Sequence, residues 1–341
     1  MQTGFEGLIG QGHVVELLNQ AIAHNRIAPG YLFAGPNGIG KRLAAECFIT
    51  QLLHSSNDGA EDEVEKLTQL RHRIQERNHP DLLWVEPTYM HQGKRLSIAE
   101  AEEKKLKRRA PPILRLEQIR EIAEFLSRPP LEASRAVVVL DQADTMAEAA
   151  ANALLKTLEE PGQATLILIA PKEDSLLPTL ISRCQTIAFR RLNSEAIAHI
   201  LHHNGHGEIL NHPNILKLAQ GSPGEAIASW HQLQALQEKA PTLLRALEHP
   251  PTSLRQALTL AQAIAKELDA ERQLWLIGYL QHCYWRDGYG PDIGPDNGQS
   301  TNQPHHPPPM YLDILETARR QLLRYVQPRL VWEVSLMKMV S

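Results

Sequence analysis

A short apolar run at residues 31–34 leads straight into Gly35-Pro36-Asn37-Gly38-Ile39-Gly40-Lys41-Arg42, beyond which a helical pattern begins. No other segment narrows the fold as much. The pattern G-x-x-x-x-G-K between a strand and a helix is that of a phosphate-binding loop. Its glycines let backbone N–H groups turn inward around phosphate oxygens, the helix N-terminus adds a favourable dipole, and Lys41 brings a positive charge to the terminal phosphates. A purely structural glycine turn is the competing reading. An active loop follows its lysine with Ser or Thr, whose hydroxyl ligates the magnesium that bridges the phosphates. Arg42 stands there instead, and a guanidinium has no lone pair to give a cation. The loop therefore suits ATP or ADP held without hydrolysis better than it suits turnover.

Four further apolar segments, at 82–85, 136–140, 165–170 and 186–189, alternate with helical patterns, so a five-stranded parallel sheet is predicted. Helical stripes include Val14, Leu17, Leu18, Ala21 and Ile22 before the loop, then Leu116, Ile119, Ile122, Ala123 and Leu126 after Pro111-Pro112. Beyond Phe189 only helical patterns remain, one of them carried by Leu312, Leu315, Ala318 and Leu322. The length of 341 residues exceeds what a single core usually serves. An α/β P-loop domain is expected at 1–190, a small helical lid at 191–240 and an all-α domain at 241–341. The polar stretch 55–78 reads as an insertion. The segment 287–309, rich in Gly, Pro, Asn, Gln and His, reads as a flexible surface loop.

The run 136–140 ends in Asp141, where a P-loop protein places its metal-orienting carboxylate. Asp141 and Asp144 at a strand-to-helix junction also suit a plain capping role. The residue after Asp141 is Gln142, which can hydrogen-bond a water but cannot take its proton at neutral pH. A second part needed for hydrolysis is thus missing.

Taken together, these segments resemble the delta prime branch of the AAA+ clamp-loader family of bacterial DNA polymerase III. The likeness covers most of residues 1–229. It rests on Ile9-Gly10-Gln11, the strand and loop at 31–41, His79-Pro80-Asp81-Leu82-Leu83-Trp84, Gln118-Ile119-Arg120, and the Asp141 segment. The most specific parts are Asn152-Ala153-Leu154-Leu155-Lys156-Thr157-Leu158-Glu159-Glu160-Pro161 and Leu177-Pro178-Thr179-Leu180-Ile181-Ser182-Arg183-Cys184-Gln185. The resemblance implies an AAA+ module with a helical lid and a collar domain. It also implies a place in a hetero-pentamer with gamma or tau and delta type subunits, which loads a sliding clamp onto primed DNA. Within that ring Arg183 is implied to be an arginine finger for the neighbour's ATP site. Gly221-Ser222-Pro223-Gly224-Glu225 looks like the family's second sensor, yet Glu225 stands where an arginine normally touches the subunit's own nucleotide. The position after the fourth strand, Ala170-Pro171, likewise lacks the Thr or Asn that the resemblance leads one to expect. The role implied is a stator, with the gamma or tau type motor and a stand-alone P-loop enzyme as alternatives.

Many relatives of this branch carry a four-cysteine zinc module before the second strand. Here no cysteine lies between Cys47 and Cys184, so no zinc or other metal is expected, and His72, His79 and His91 read as surface histidines. Three widely spaced cysteines fit a reducing compartment. With 39 acidic against 35 basic residues the formal charge is −4, which excludes a generally basic, nucleic-acid-coating surface. Residues 1–12 lack the pattern of a secretory signal, and no apolar stretch reaches the length of a membrane span. A cytoplasmic location is expected.

Overall fold

The computed structural model describes residues 4–54, 60–104, 111–247, 249–289 and 309–340. The strands are β1 (Gly30–Ala34), β2 (Leu82–Val85), β3 (Tyr89–His91), β4 (Lys94–Leu96), β5 (Ala136–Leu140), β6 (Ala164–Ala170) and β7 (Gln185–Ala188). The helices of the sheet region are α1 (Gly12–Ala23), α2 (Lys41–Leu53), α3 (Ala60–Gln75), α4 (Ile98–Glu103), α5 (Leu116–Leu126), α6 (Glu148–Glu159), α7 (Pro178–Ile181) and α8 (Ser194–His203). They are followed by α9 (Pro213–Ala219), α10 (Pro223–Lys239), α11 (Pro241–Leu247), α12 (Leu254–Glu267), α13 (Ala270–Tyr289), α14 (Pro309–Leu323) and α15 (Pro328–Val340).

Five strands form one sheet in the order β2-β5-β6-β1-β7, and every pairing in it is parallel. Each residue of β1, β5 and β6 is buried. That is why these strands read as unbroken apolar runs rather than alternating ones: helices cover both faces of a parallel sheet. On one face Leu32, Val138, Leu140, Leu166 and Leu168 pack with Ile119 and Ile122 of α5 and with Ala150, Leu154 and Leu158 of α6. On β1 the Tyr31 ring meets Phe48 of α2 edge-on, with centroids 5.1 Å apart. The five predicted strands are all present, with ends within a residue or two of their expected places.

The order has a direct consequence for the site. β6 stands between β1, which carries the phosphate loop, and β5, which carries Asp141, so the ends of three neighbouring strands lie along one edge. Sites of open parallel sheets form outside the carboxyl ends of their strands. The antiparallel hairpin of β3 and β4 has no counterpart among the sequence expectations. It turns at Gln92 and Gly93, both with positive φ.

The chain divides into two compact units, Met1–Ile200 with Gly221–Gly224, and Leu201–Gln220 with Glu225–Ser341. The described part of the second unit is helical. Its core is fixed by polar pins as well as apolar packing: buried Trp332 donates its indole N–H to Gln273 at 2.9 Å, and Gln273 donates to the Leu268 carbonyl at 2.8 Å. Tyr284 donates to the Leu247 carbonyl at 2.9 Å. Within the polar stretch 55–78, α3 takes up most of the described residues and buries Ile74. Of the loop expected at 287–309, residues 290–308 lie outside the described residues. Among the described residues no helix is long and apolar enough to cross a membrane.

Candidate functional site

The phosphate loop is shaped by glycines whose backbone other residues resist. Gly38 has φ 69°, and Gly40, at φ 99°, hands the chain over to α2. Lys41 is the first residue of that helix, and its side chain is buried. Its Nζ donates to the Gly35 carbonyl and, at 2.7 Å, to the Pro36 carbonyl, so the ammonium group lies against the loop's own backbone. From outside, Ser222 donates its hydroxyl to the Asn37 carbonyl at 2.7 Å, and the Gly224 amide donates to the Gly38 carbonyl at 2.9 Å. A β-carbon on Gly224 would come within 2.5 Å of Gly38 Cα, so only glycine permits this close approach. The segment read as a second sensor is therefore in contact with the loop through Ser222 and Gly224. Glu225 follows in the first turn of α10, where an acidic side chain complements the helix dipole, and it belongs to the second unit.

Asp141 follows β5 and is only 3% exposed. One of its oxygens accepts the Gln142 amide at 2.8 Å. Its other oxygen accepts Nε of Arg42. A second nitrogen of the same guanidinium donates to Glu86 at 2.6 Å. Glu86 also accepts Arg77 at 2.8 Å, and the Arg77 guanidinium lies 5.1 Å from the centroid of the Trp84 ring. Charges alternate along this chain of contacts: Asp141, Arg42, Glu86, Arg77. Burial pushes the Glu86 carboxyl up, but hydrogen bonding to Arg77 and the charges of Arg77 and Arg42 outweigh it and hold Glu86 below the usual carboxylate range. Gln118 steadies the Glu86 segment by donating to the Glu86 carbonyl at 2.8 Å while its own oxygen accepts Thr88 and the Arg115 amide.

Gln142 adopts the left-handed conformation and accepts the Thr145 hydroxyl at its carbonyl, at 2.8 Å. Asp144 sits in the short 3-10 turn that follows. Loss of solvation raises its carboxyl above the ordinary range, with Lys41 opposing and the charge of Asp141 adding. After β6 the chain continues into Pro171, and the Ala170 carbonyl accepts the Gly35 amide at 3.2 Å, which ties the sheet's sensor edge to the loop.

A magnesium nucleotide, which a loop of this type implies, can be tested against these residues. The metal needs a hydroxyl after the lysine and a carboxylate oxygen open to it. It finds the Arg42 guanidinium in the first place, bonded to Asp141 in the second. The residues present do not fit a bound magnesium ion.

Arg183 lies between α7 and β7, remote in sequence from the loop. Its Nε and a terminal nitrogen both donate to one oxygen of Glu159, at 3.1 and 2.6 Å, and its third nitrogen donates to the Thr179 carbonyl at 3.0 Å. The pair is open to solvent, with side chains 37% and 51% exposed. The adjacent Cys184 is half-buried against the core, and burial pushes its thiol up to about 11. A β-carbon on Gly30 would meet Leu158, the Cys184 sulfur and the Arg183 carbonyl within 3.2 Å, so the first residue of β1 is small because the Arg183 segment runs over it.

Reading His79 as a surface histidine is corrected by the fold. It is 5% exposed, and its Nδ1 accepts the Asp81 amide at 3.1 Å. Burial lowers its pKa, helped by the charge of Arg73. Asp81 in turn accepts the amides of Leu131, Glu132 and Ala133 at 2.6 to 2.8 Å and so fastens the turn that leads into β5. Burial alone would raise its carboxyl; those three amides and His79 bring it below the usual range. Sequence reasoning singled out the segment 79–84 but not this role, and it missed Glu86 and Arg77 altogether.

A parallel P-loop sheet with Asp141 one strand removed from the loop, followed by a helical unit, defines an AAA+ type module. Two family profiles match the chain: "DNA polymerase III, delta subunit" over residues 10–193, and "Cyanobacterial DNA polymerase III delta prime, C-terminal domain" over residues 195–339. The chain belongs to the DNA polymerase III delta prime family. It is 36% identical over 188 residues to DNA polymerase III subunit delta' of Bacillus subtilis, which covers 55% of this chain and 50% of that one. It is 39% identical over 160 residues to subunit delta' of Pseudomonas aeruginosa, covering 46% and 42%. Subunit tau of Bacillus subtilis is 27% identical over 194 residues, covering 57% and 30%. The chain thus aligns with about half the length of the delta' relatives.

Proposed function

We propose that this chain is a clamp-loader subunit of a bacterial DNA polymerase III and that it acts as a stator. It joins gamma or tau type and delta type subunits in a hetero-pentamer that uses ATP to place a sliding clamp on primed DNA. The phosphate loop serves as architecture, with or without an ATP or ADP that it does not hydrolyse, and no zinc takes part. Residues 191–240 act as the lid and residues 241–341 as the collar through which the ring assembles, in the cytoplasm. Arg183 reaches into the neighbour's ATP site and stabilises charge on the phosphoryl group in transfer.

One observation carries the reading: the guanidinium of Arg42 is bonded to Asp141, the carboxylate that a turning-over site reserves for its metal. Family membership supports a place in such an assembly, and the absence of a carboxylate at Gln142 agrees with lost turnover. The open setting of Arg183 suits a group that must leave its own subunit's surface.

The test is ATP turnover by the purified full chain with magnesium, alongside co-purification with the other loader subunits. Stoichiometric recovery in the loader with no turnover is the expected result. Magnesium-dependent hydrolysis abolished by Lys41→Ala would overturn the stator reading in favour of a gamma or tau type motor. A fast hydrolase with no replication partners would point to a stand-alone enzyme instead.

A further inference from the structure

We propose that Arg42 is a built-in replacement for the magnesium ion and that it keeps divalent cations out of this phosphate loop. The inference deepens the non-hydrolytic reading above and rests on it.

A P-loop metal sits between the hydroxyl that follows the lysine and the carboxylate at the end of the neighbouring acidic strand. Here the residue after Lys41 contributes a cation of its own, and that cation meets Asp141 directly. Both Asp141 oxygens are engaged, one by Arg42 and one by the Gln142 amide, and the residue is almost fully buried. A divalent ion would have to approach a resident positive charge and push it off the carboxylate. Arg42 and Arg77 already face the two carboxylates of Asp141 and Glu86, so this chain of four charges is neutral before any metal arrives.

The guanidinium is not free to step aside. Glu86 holds its far side, and Glu86 is itself fixed by Arg77 and, through its backbone, by Gln118. Arg77 is backed in turn by the Trp84 ring. Swinging Arg42 out would strip a buried carboxylate of the guanidinium bonded to it, which is the costly way to open such a pair. An arginine suits this work better than a lysine, because its planar fork can bond Asp141 and Glu86 at the same time.

The experiment is a titration of the full-length chain with Mn²⁺ in the presence of ADP, with free Mn²⁺ followed by its electron paramagnetic resonance. Wild type is expected to take up no Mn²⁺ at millimolar concentrations. Arg42→Thr, which removes the cation and restores a hydroxyl, is expected to bind it at least tenfold more tightly. Glu86→Gln keeps the arginine but loosens its far side, and its affinity should fall between the two. Should Arg42→Thr fail to fold, the wild-type titration and Glu86→Gln still decide the matter. Wild type binding Mn²⁺ as well as the variants would overturn the proposal, and so would a folded Arg42→Thr that still refuses Mn²⁺. Hydrolysis of ATP by wild type would instead strike the stator reading, so the two failures are distinguishable.

Discussion

Two guanidinium-carboxylate pairs in the first unit look alike on paper, and even the guanidinium side chains are similarly open, 49% exposed at Arg42 and 37% at Arg183. The carboxylates differ, 5% exposed at Asp141 and 51% at Glu159. Arg42 binds Asp141, which is almost fully buried, and is held from behind by Glu86. Arg183 binds Glu159 with both partners in solvent and leans otherwise on a backbone carbonyl and the Ser182 hydroxyl. The first pair cannot open without leaving a desolvated charge behind. The second can exchange its partner for another anion at little cost, because water screens both states. On the proposed reading, the fixed pair is architecture and the exposed one serves a neighbouring subunit.

The largest effect should come from the exposed pair. In a reconstituted loader, Arg183→Ala is expected to lower clamp-stimulated ATP turnover by about 10³-fold or more, within the range known for arginine fingers. Unchanged turnover would leave Arg183 as surface and collapse the contrast. Next in size is an anchor that bonds backbone amides rather than a guanidinium. Asp81→Ala frees three backbone amides near β5 and should cost about 2 to 4 kcal/mol, read from urea denaturation.

Acid should act on the same anchor in two steps. His79 has a lowered pKa, so its contribution to stability is intact above its unfolded value near 6.5 and is lost as pH falls through the lower folded value. Asp81 and Glu86 are also depressed, so their contributions are intact above roughly pH 4 and are lost as pH drops below that. Denaturation midpoints measured from pH 7 to pH 3 should show both steps, and His79→Asn should erase the upper one.

Arg42→Ala is expected to cost about 1 to 2 kcal/mol, the cost of breaking a buried pair reduced for the half-exposed guanidinium. Pairing it with Asp141→Asn should recover part of that loss, because the unpaired charge goes too. Simple additivity in this double-mutant cycle would mean the two groups do not depend on each other. The smallest effect belongs to Glu159→Gln, at less than about 0.5 kcal/mol. A loss above about 1 kcal/mol there would show that Arg183 is anchored after all.

The sequence was legible where local rules decide. Unbroken apolar runs gave β1, β5 and β6 because both faces of a parallel sheet are covered, and the glycines at 38 and 40 marked a backbone that few other residues can adopt. Arg42 and Gln142 could be recognised as departures from a hydrolytic site by their chemistry alone. Their new partners could not. Residues 42, 77, 86 and 141 are brought together only by strand order, and no spacing rule joins them. His79 reads as a surface histidine in the sequence because it lacks metal-ligand spacing, a rule that is silent on burial; its ring accepts the Asp81 amide and lies 3.7 Å from Glu132 of the turn before β5. The hairpin of β3 and β4 escaped notice because three-residue strands carry too little pattern to count.

Gly30 and Gly35 bracket a single strand whose five residues are all buried. One end opens into the phosphate loop; the other is overlain by the backbone of Arg183. From Gly30 to Gly35, at about 3.3 Å per residue, this is a ruler of roughly 16 Å. Side-chain changes can alter the chemistry at either tip, but the gap between them is set by covalent geometry and stays constant.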